Sequence, residues 1–512
     1  MRELIRSVAL PALLVLVALV GVALAGDDAR LDQAKDLLKK GDEASTRDAG
    51  NLLKDVNSAA SAEVLLGVLR STGFGPGLAA GHYRDIIWEG LVGLTDPYAR
   101  ARVELELKKN KDSAWVRAWS AQLLGIYGEP DFAPSLVKAL KDKDEFVRAA
   151  AAEALGMLRI PAGGKTLEEV EKALEKVASG KDPFGRANGM QALMAQSPET
   201  WRNTYLAMLT GKSADKDGGV RCALLGAAKA VAPGELEELS ARALADLDWR
   251  VRLEAVDNLG GVPSKTSVDR LIEAIDDGRP TVGLRAVTAL QKLTGQGHRK
   301  AVAWQAWWAA NRDTFTFPEG DARDPNAVAE GESTAFYNGL NVTSDHVAFL
   351  IDKSAAMGEQ LTSRGMSKEA VAQEQLAEVL GMLPEGVVFN VYTYELEVQA
   401  FSEKHPVELD PKSVKKALGF VTEQRLRGNK DIWQVLERVV SDPDIDTIYL
   451  LSSGEPDTGR YVHWNRVTEH LKDINRFQKV TVHTIAYSNN KWYRDQLEKI
   501  AEATGGDFKW FE

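Results

Sequence analysis

Two rhythms of apolar and polar positions divide this chain. From about residue 30 to 312 apolar residues recur three and four apart in paired blocks. In the clearest unit, Phe132 to Leu140 predicts one helix and Phe146 to Leu158 a second, on which Val147, Ala151 and Leu155 share a face. From residue 345 the rhythm changes to short apolar runs alternating with amphipathic blocks, the pattern of a mostly parallel sheet with helical crossovers. The runs 346–352, 387–394, 446–452 and 480–487 predict central strands, 396–401 a hairpin edge and 507–511 a last short strand. Helices are predicted at 368–383, 412–419, 431–441, 463–476 and 491–504. Between the two halves, 313–344 includes "PEGDARDPNAVAEGEST" and has no sustained period. It predicts a linker between cores that fold alone.

The helical half repeats itself. "KDKDEFVRAAAAEALGML" (141–158), "KDGGVRCALLGAAKAV" (216–231) and "ADLDWRVRLEAVDNLG" (245–260) each carry an aspartate, a short gap, Val-Arg and a helical apolar pattern. Arg84, Arg117, Arg148, Arg186, Arg221, Arg252 and Arg285 follow one another at 31 to 38 residues. A short helix pair cannot bury its own apolar face, so this periodicity predicts a stacked solenoid. Asp144, Asp182, Asp217 and Asp248 each stand four residues before a repeat arginine, placed to cap the second helix of a unit. The charged residues are read as inter-repeat capping and pairing rather than a binding stripe. Trp304, Trp307 and Trp308 are expected to seal the last repeat.

The chain has 512 residues, too many for one core. Its 74 acidic and 63 basic side chains give a net charge of −11 with no basic stripe, so nucleic acid is not expected as a partner. At the N-terminus Arg2 and Arg6 precede an apolar run from Val8 to Ala25 that ends Ala23-Leu24-Ala25. Residues 1–25 read as a signal peptide, cleaved before Gly26 and directing export to a periplasmic or extracellular location. The alternative is an uncleaved membrane anchor, since a run of this length can just span a bilayer. The single cysteine, Cys222, allows no intramolecular disulfide.

The Asp-x-x-Val-Arg core with its trailing alanines and leucines resembles HEAT repeats of the short bacterial type also found in phycobilisome lyase-like proteins, which implies a protein-binding solenoid. The C-terminal half, through "FLIDKSAAM", "RGNKDIWQVL", "IYLLSSGEP" and "LEKIAEATGGDFKWF", resembles the von Willebrand factor A domain. The combination resembles secreted bacterial proteins, and the fold class implied is an all-α HEAT-like array (30–312), a linker (313–344) and a doubly wound α/β, Rossmann-like A domain (345–512). In that family Asp-x-Ser-x-Ser on one loop, a threonine on a second and an aspartate on a third hold magnesium or manganese. Asp352 and Ser354 match the first loop, but Ala356 stands at the second serine, Lys430 at the threonine and Ser453 at the aspartate. A methyl group supplies no ligand and an ammonium repels the ion, so no divalent metal or other cofactor is expected. The five positions are then either a vestigial site that only caps a loop or a metal-free partner-binding surface.

The seven histidines show no metal-ligand spacing, there is no nucleophile elbow or phosphate loop, and "GFGPG" (73–77) lies between helices. No catalytic residue is identified. The expected function is that of an exported, non-catalytic protein-interaction or adhesion-type scaffold. The alternative is an enzyme or enzyme subunit with a site on the repeat array.

Overall fold

The computed structural model describes residues 27–40, 42–71, 87–111, 113–318, 335–454, 456 and 464–512. The signal-like segment, "GFGPG", His82, Arg84, His463 and most of the linker lie outside them. Packing divides the chain into two compact units with the break between Trp201 and Arg202.

The first unit is built of stacked antiparallel helices, among them Pro97–Lys109 with Ala114–Tyr127, Ala133–Ala139 with Glu145–Met157, and Lys165–Ala178 with Pro183–Gln196. Leu124, Leu136, Val147, Leu155 and Leu174 are fully buried between them. Asp144 accepts the amide N–H groups of Phe146 and Val147, and Asp182 that of Phe184, so each carboxylate satisfies the open start of the helix it precedes. The repeat arginines reach forward to the next unit: Arg117 meets Asp142 through two bonds of 2.8 Å, and Arg148 meets Asp182 at 3.1 Å.

The second unit, from Arg202, continues the repeats and adds the α/β half. Asp217 and Asp248 again cap helices, Gly218–Val231 and Trp249–Leu259. Arg221 grips Asp246 (2.8 and 2.6 Å) and Arg252 grips Asp277 (2.7 and 2.8 Å). For Arg117, Arg221 and Arg252 the pairing partner is an aspartate two residues before a capping position, a separate residue from the cap, whereas Arg148 pairs with the capping Asp182 itself. Arg285 departs from this and turns back to Asp257 at 3.1 Å. After it the helix Ala301–Asn311 closes the array with Trp304 and Trp308 buried and their indole N–H groups bonded to the His298 carbonyl and to Asp269.

The α/β half has eleven strands among the described residues. β1 (Phe336–Tyr337) and β2 (Leu340–Asn341) form a hairpin; β3 is His346–Asp352; β4 (Gln360–Leu361) and β5 (Met366–Ser367) form a second hairpin. β6 (Val388–Tyr394), β7 (Val398–Ala400), β8 (Val407–Glu408), β9 (Thr447–Ser452), β10 (Thr481–Tyr487) and β11 (Phe508–Phe511) complete the set. The main sheet runs β11-β10-β9-β3-β6-β7, with β8 also on β6; β7 and β8 are antiparallel to β6 and the rest are parallel. β3 pairs β6 on one side and β9 on the other, so the strand order reverses there, and the ends of β3 and β9 flank the crevice where such sheets bind ligands.

Two features depart from the sequence reading. The stretch 335–344, taken as linker, is folded: Ala335, Tyr337, Leu340 and Val342 are buried in the sheet core. Asn338 and Gly339, at φ 51° and 78°, make the two-residue turn that joins β1 to β2. The α/β half also does not stand apart from the repeats beside it. At the amino-terminal end of β9 the fully buried Asp446 accepts Arg279 Nε at 2.7 Å and Thr281 Oγ1 at 2.9 Å from the repeats, plus the hydroxyls of Ser344 and Thr447. Arg250 donates to the Phe477 carbonyl and to Gln478, and Lys479 pairs with Glu254 and with Asp257. Burial alone would lower the Lys479 pKa, but Glu254 and Asp257 push it up, while burial raises that of the Glu254 carboxyl.

Candidate functional site

β3 is apolar along its whole buried length and ends on Asp352, which is fully inaccessible to solvent. A carboxylate in that position needs donors on every side, and three loops supply them. From its own loop, the Ser354 amide donates to Asp352 Oδ1 at 2.7 Å. From the loop after β9, the Ser453 amide and hydroxyl donate to Oδ2 at 2.9 and 2.7 Å. From the loop before the helix Ile432–Val440, the Lys430 ammonium lies 3.3 Å from Oδ2 and donates to Ser354 Oγ at 3.2 Å and Ser453 Oγ at 3.1 Å.

The Lys430 loop is held in place by backbone bonds. Arg427 N–H donates to the Lys353 carbonyl, Ala355 N–H to that of Gly428, and Asp431 N–H to that of Glu395. The Asp431 side chain then caps the helix at Gln434 N. Asp352, Ser354, Lys430 and Ser453 thus converge and are all buried. Ala356 does not join them, lying in the single 3-10 turn Ala355–Gly358. Burial alone would raise the Asp352 pKa, yet the Lys430 charge and the Ser354 and Ser453 bonds hold it below the usual carboxylate value.

Sequence reasoning missed a second buried ammonium next door. Lys353 points away from Asp352 and binds Glu369 and the Val421 carbonyl, each at 2.8 Å. Its signal was a lysine directly after a buried strand aspartate, a position that demands a partner. A further cluster of metal-ligand types, Asp345, His346 and Asp446, lies at the opposite end of the sheet. There Arg279 already occupies Asp446, so an ion would face a guanidinium.

The model for HEAT repeats matches residues 105–194 and 236–306. The human von Willebrand factor A domain-containing protein 3A is 27% identical over 168 residues, 33% of this chain; the matched stretch spans only 13% of that relative's length. Among solved structures, a von Willebrand factor type A protein from Catenulispora acidiphila is similar over 34% of this chain and 40% of its own, at 17% identity and a TM-score of 0.27. The CpcE–CpcF phycocyanin lyase complex from Nostoc sp. is similar over 49% and 94%, at 17% identity and a TM-score of 0.25. The chain is a HEAT-repeat array joined to a von Willebrand factor A domain.

In this A domain the residues at the carboxyl end of the sheet do not fit a divalent ion. Magnesium needs near-octahedral oxygen ligation. Asp352 has both oxygens engaged, Ala356 has none to give, and the Lys430 ammonium is already within bonding distance of the three oxygens that an ion would use.

Proposed function

We propose that this protein is an exported, non-catalytic interaction scaffold in which the HEAT repeats and the A domain each present a surface to protein partners. In this reading the A domain keeps the frame of a metal-dependent site and closes it with Lys430, so partners are engaged without a bridging ion. The observation that carries it is the buried ammonium among Asp352, Ser354 and Ser453. HEAT repeats and A domains are interaction modules, which supports the scaffold reading. Export rests on the amino-terminal pattern: the mature chain should begin at Gly26 by intact-mass analysis, and retention of Met1 to Ala25 in the membrane would contradict it.

Calorimetric titration with manganese tests the closed site. The unmodified chain should give no saturable heat at micromolar ion. The combined Ala356→Ser, Lys430→Thr and Ser453→Asp variant restores oxygen ligands and should gain manganese-dependent thermal stability. Micromolar binding by the unmodified chain would overturn the reading. Affinity capture from the native envelope fraction, with the mature chain as bait, should recover a protein partner.

A further inference from the structure

A cavity of about 340 Å³ opens at the seam between the last repeats and the A domain. Its lining carries four cationic side chains, Arg285, Lys472, Arg476 and Lys479, against the carboxylate of Asp257 and, behind the lining on Lys479, that of Glu254, so the cations exceed the carboxylates. Arg285 comes from the repeat helix Pro280–Thr294, and Lys472 and Arg476 from the A-domain helix Trp464–Gln478, so the positive charge is contributed from both sides. For a chain of net charge −11 this concentration is against the general trend.

The lining is also built rather than incidental. Lys479 sits in the left-handed region at φ 56°, a conformation that favours glycine, and its side chain is fixed by Glu254 and Asp257. Asp257 is shared between Lys479 and Arg285, so the one lining carboxylate is already occupied. Lys472 is exposed and makes no hydrogen bond or ion pair among the described residues. An arginine and a lysine on opposite walls, with their local carboxylate engaged, suit a compact oxyanion carrying at least two negative charges.

We propose that this seam cavity binds a small multivalent oxyanion, a phosphate ester or a polycarboxylate, and that the bound anion bridges Arg285 to Lys472 and Arg476. The site is separate from Lys430 and does not depend on how that site works. It also makes ligand binding a clamp on the repeat–A domain joint, because the charges it neutralises belong to both.

Isothermal titration of the purified whole chain with inorganic pyrophosphate, and separately with citrate, at constant ionic strength, tests this. At least one should bind saturably with a stoichiometry of one, and preference between them separates phosphate from carboxylate chemistry. Lys472→Glu should weaken binding by about tenfold or more and Lys472→Gln by less, as charge reversal exceeds charge removal. Lys415→Glu, on an exposed face of the helix Pro411–Glu423, should leave affinity unchanged. Circular dichroism of each variant checks that it is folded. Absence of saturable heat with both anions, or equal affinity in the two Lys472 variants and the parent, would overturn the proposal.

Discussion

Lys430 and Asp352 stand or fall together, because each is buried and each is the other's main counter-charge. Lys430→Ala would leave the carboxylate without its cation, and the expected cost is on the order of 3 kcal/mol, the scale for stranding one member of a buried pair. Urea denaturation followed by far-ultraviolet circular dichroism measures it, and a loss near zero would mean that the two serines suffice. The depressed Asp352 pKa gives the pH response its sign. A carboxylate whose folded pKa lies below its unfolded value stabilises the fold at pH above about 4 and loses that contribution as pH falls through the folded pKa. The acid midpoint of unfolding should therefore move to higher pH in Asp352→Asn, where this linkage is removed along with the pair. The placement of Lys430 was legible because the motif frame counts loops from strands that are themselves plain in the sequence. Lys353 was not, since its partner Glu369 and the Val421 carbonyl come from elements whose packing no local pattern fixes.

At the scale of elements, the repeats are held by forked arginines. Arg221 and Arg252 each make two short bonds to one carboxylate, a geometry a lysine cannot reproduce. Arg221→Ala should destabilise the second unit by about 2 kcal/mol, and Arg221→Lys should recover only part of it, read from the shift in urea midpoint. Most elements could be read from the chain: 346–352 is apolar from Val347 to Ile351 and ends on Asp352, and 491–504 is amphipathic between Asn490 and Gly505, and both form with those bounds. The hairpin at 336–341 was overlooked because the charged residues around it outweighed a two-residue Asn-Gly signal. The capping aspartates were plain from their fixed offset. The pairing aspartates were hidden, because Asp142, Asp246 and Asp277 meet arginines 25 residues back and nothing in one repeat distinguishes them from a solvated charge.

For the whole molecule, the seam matters more than the linker. Arg279 and Asp446 are 167 residues apart, so no sequence pattern announces them, yet they put a part-buried ion pair between the repeats and the A domain. Limited proteolysis between Phe317 and Ala335 should cut the chain without separating its parts: the nicked repeats and A domain should co-elute on size exclusion. Arg279→Ala, which strands Asp446, should let the fragments part; separation of the unmodified fragments would show the seam to be too weak to hold them. The closed site at the other end of the sheet sets how the molecule meets its surroundings. A domain completed by a free ion gains stability by mass action and loses it when the ion is scarce. On the reading proposed above, one whose cation is tethered to its own backbone has no such equilibrium, so at constant ionic strength its melting temperature should stay the same when a chelator strips divalent ions from the water around it.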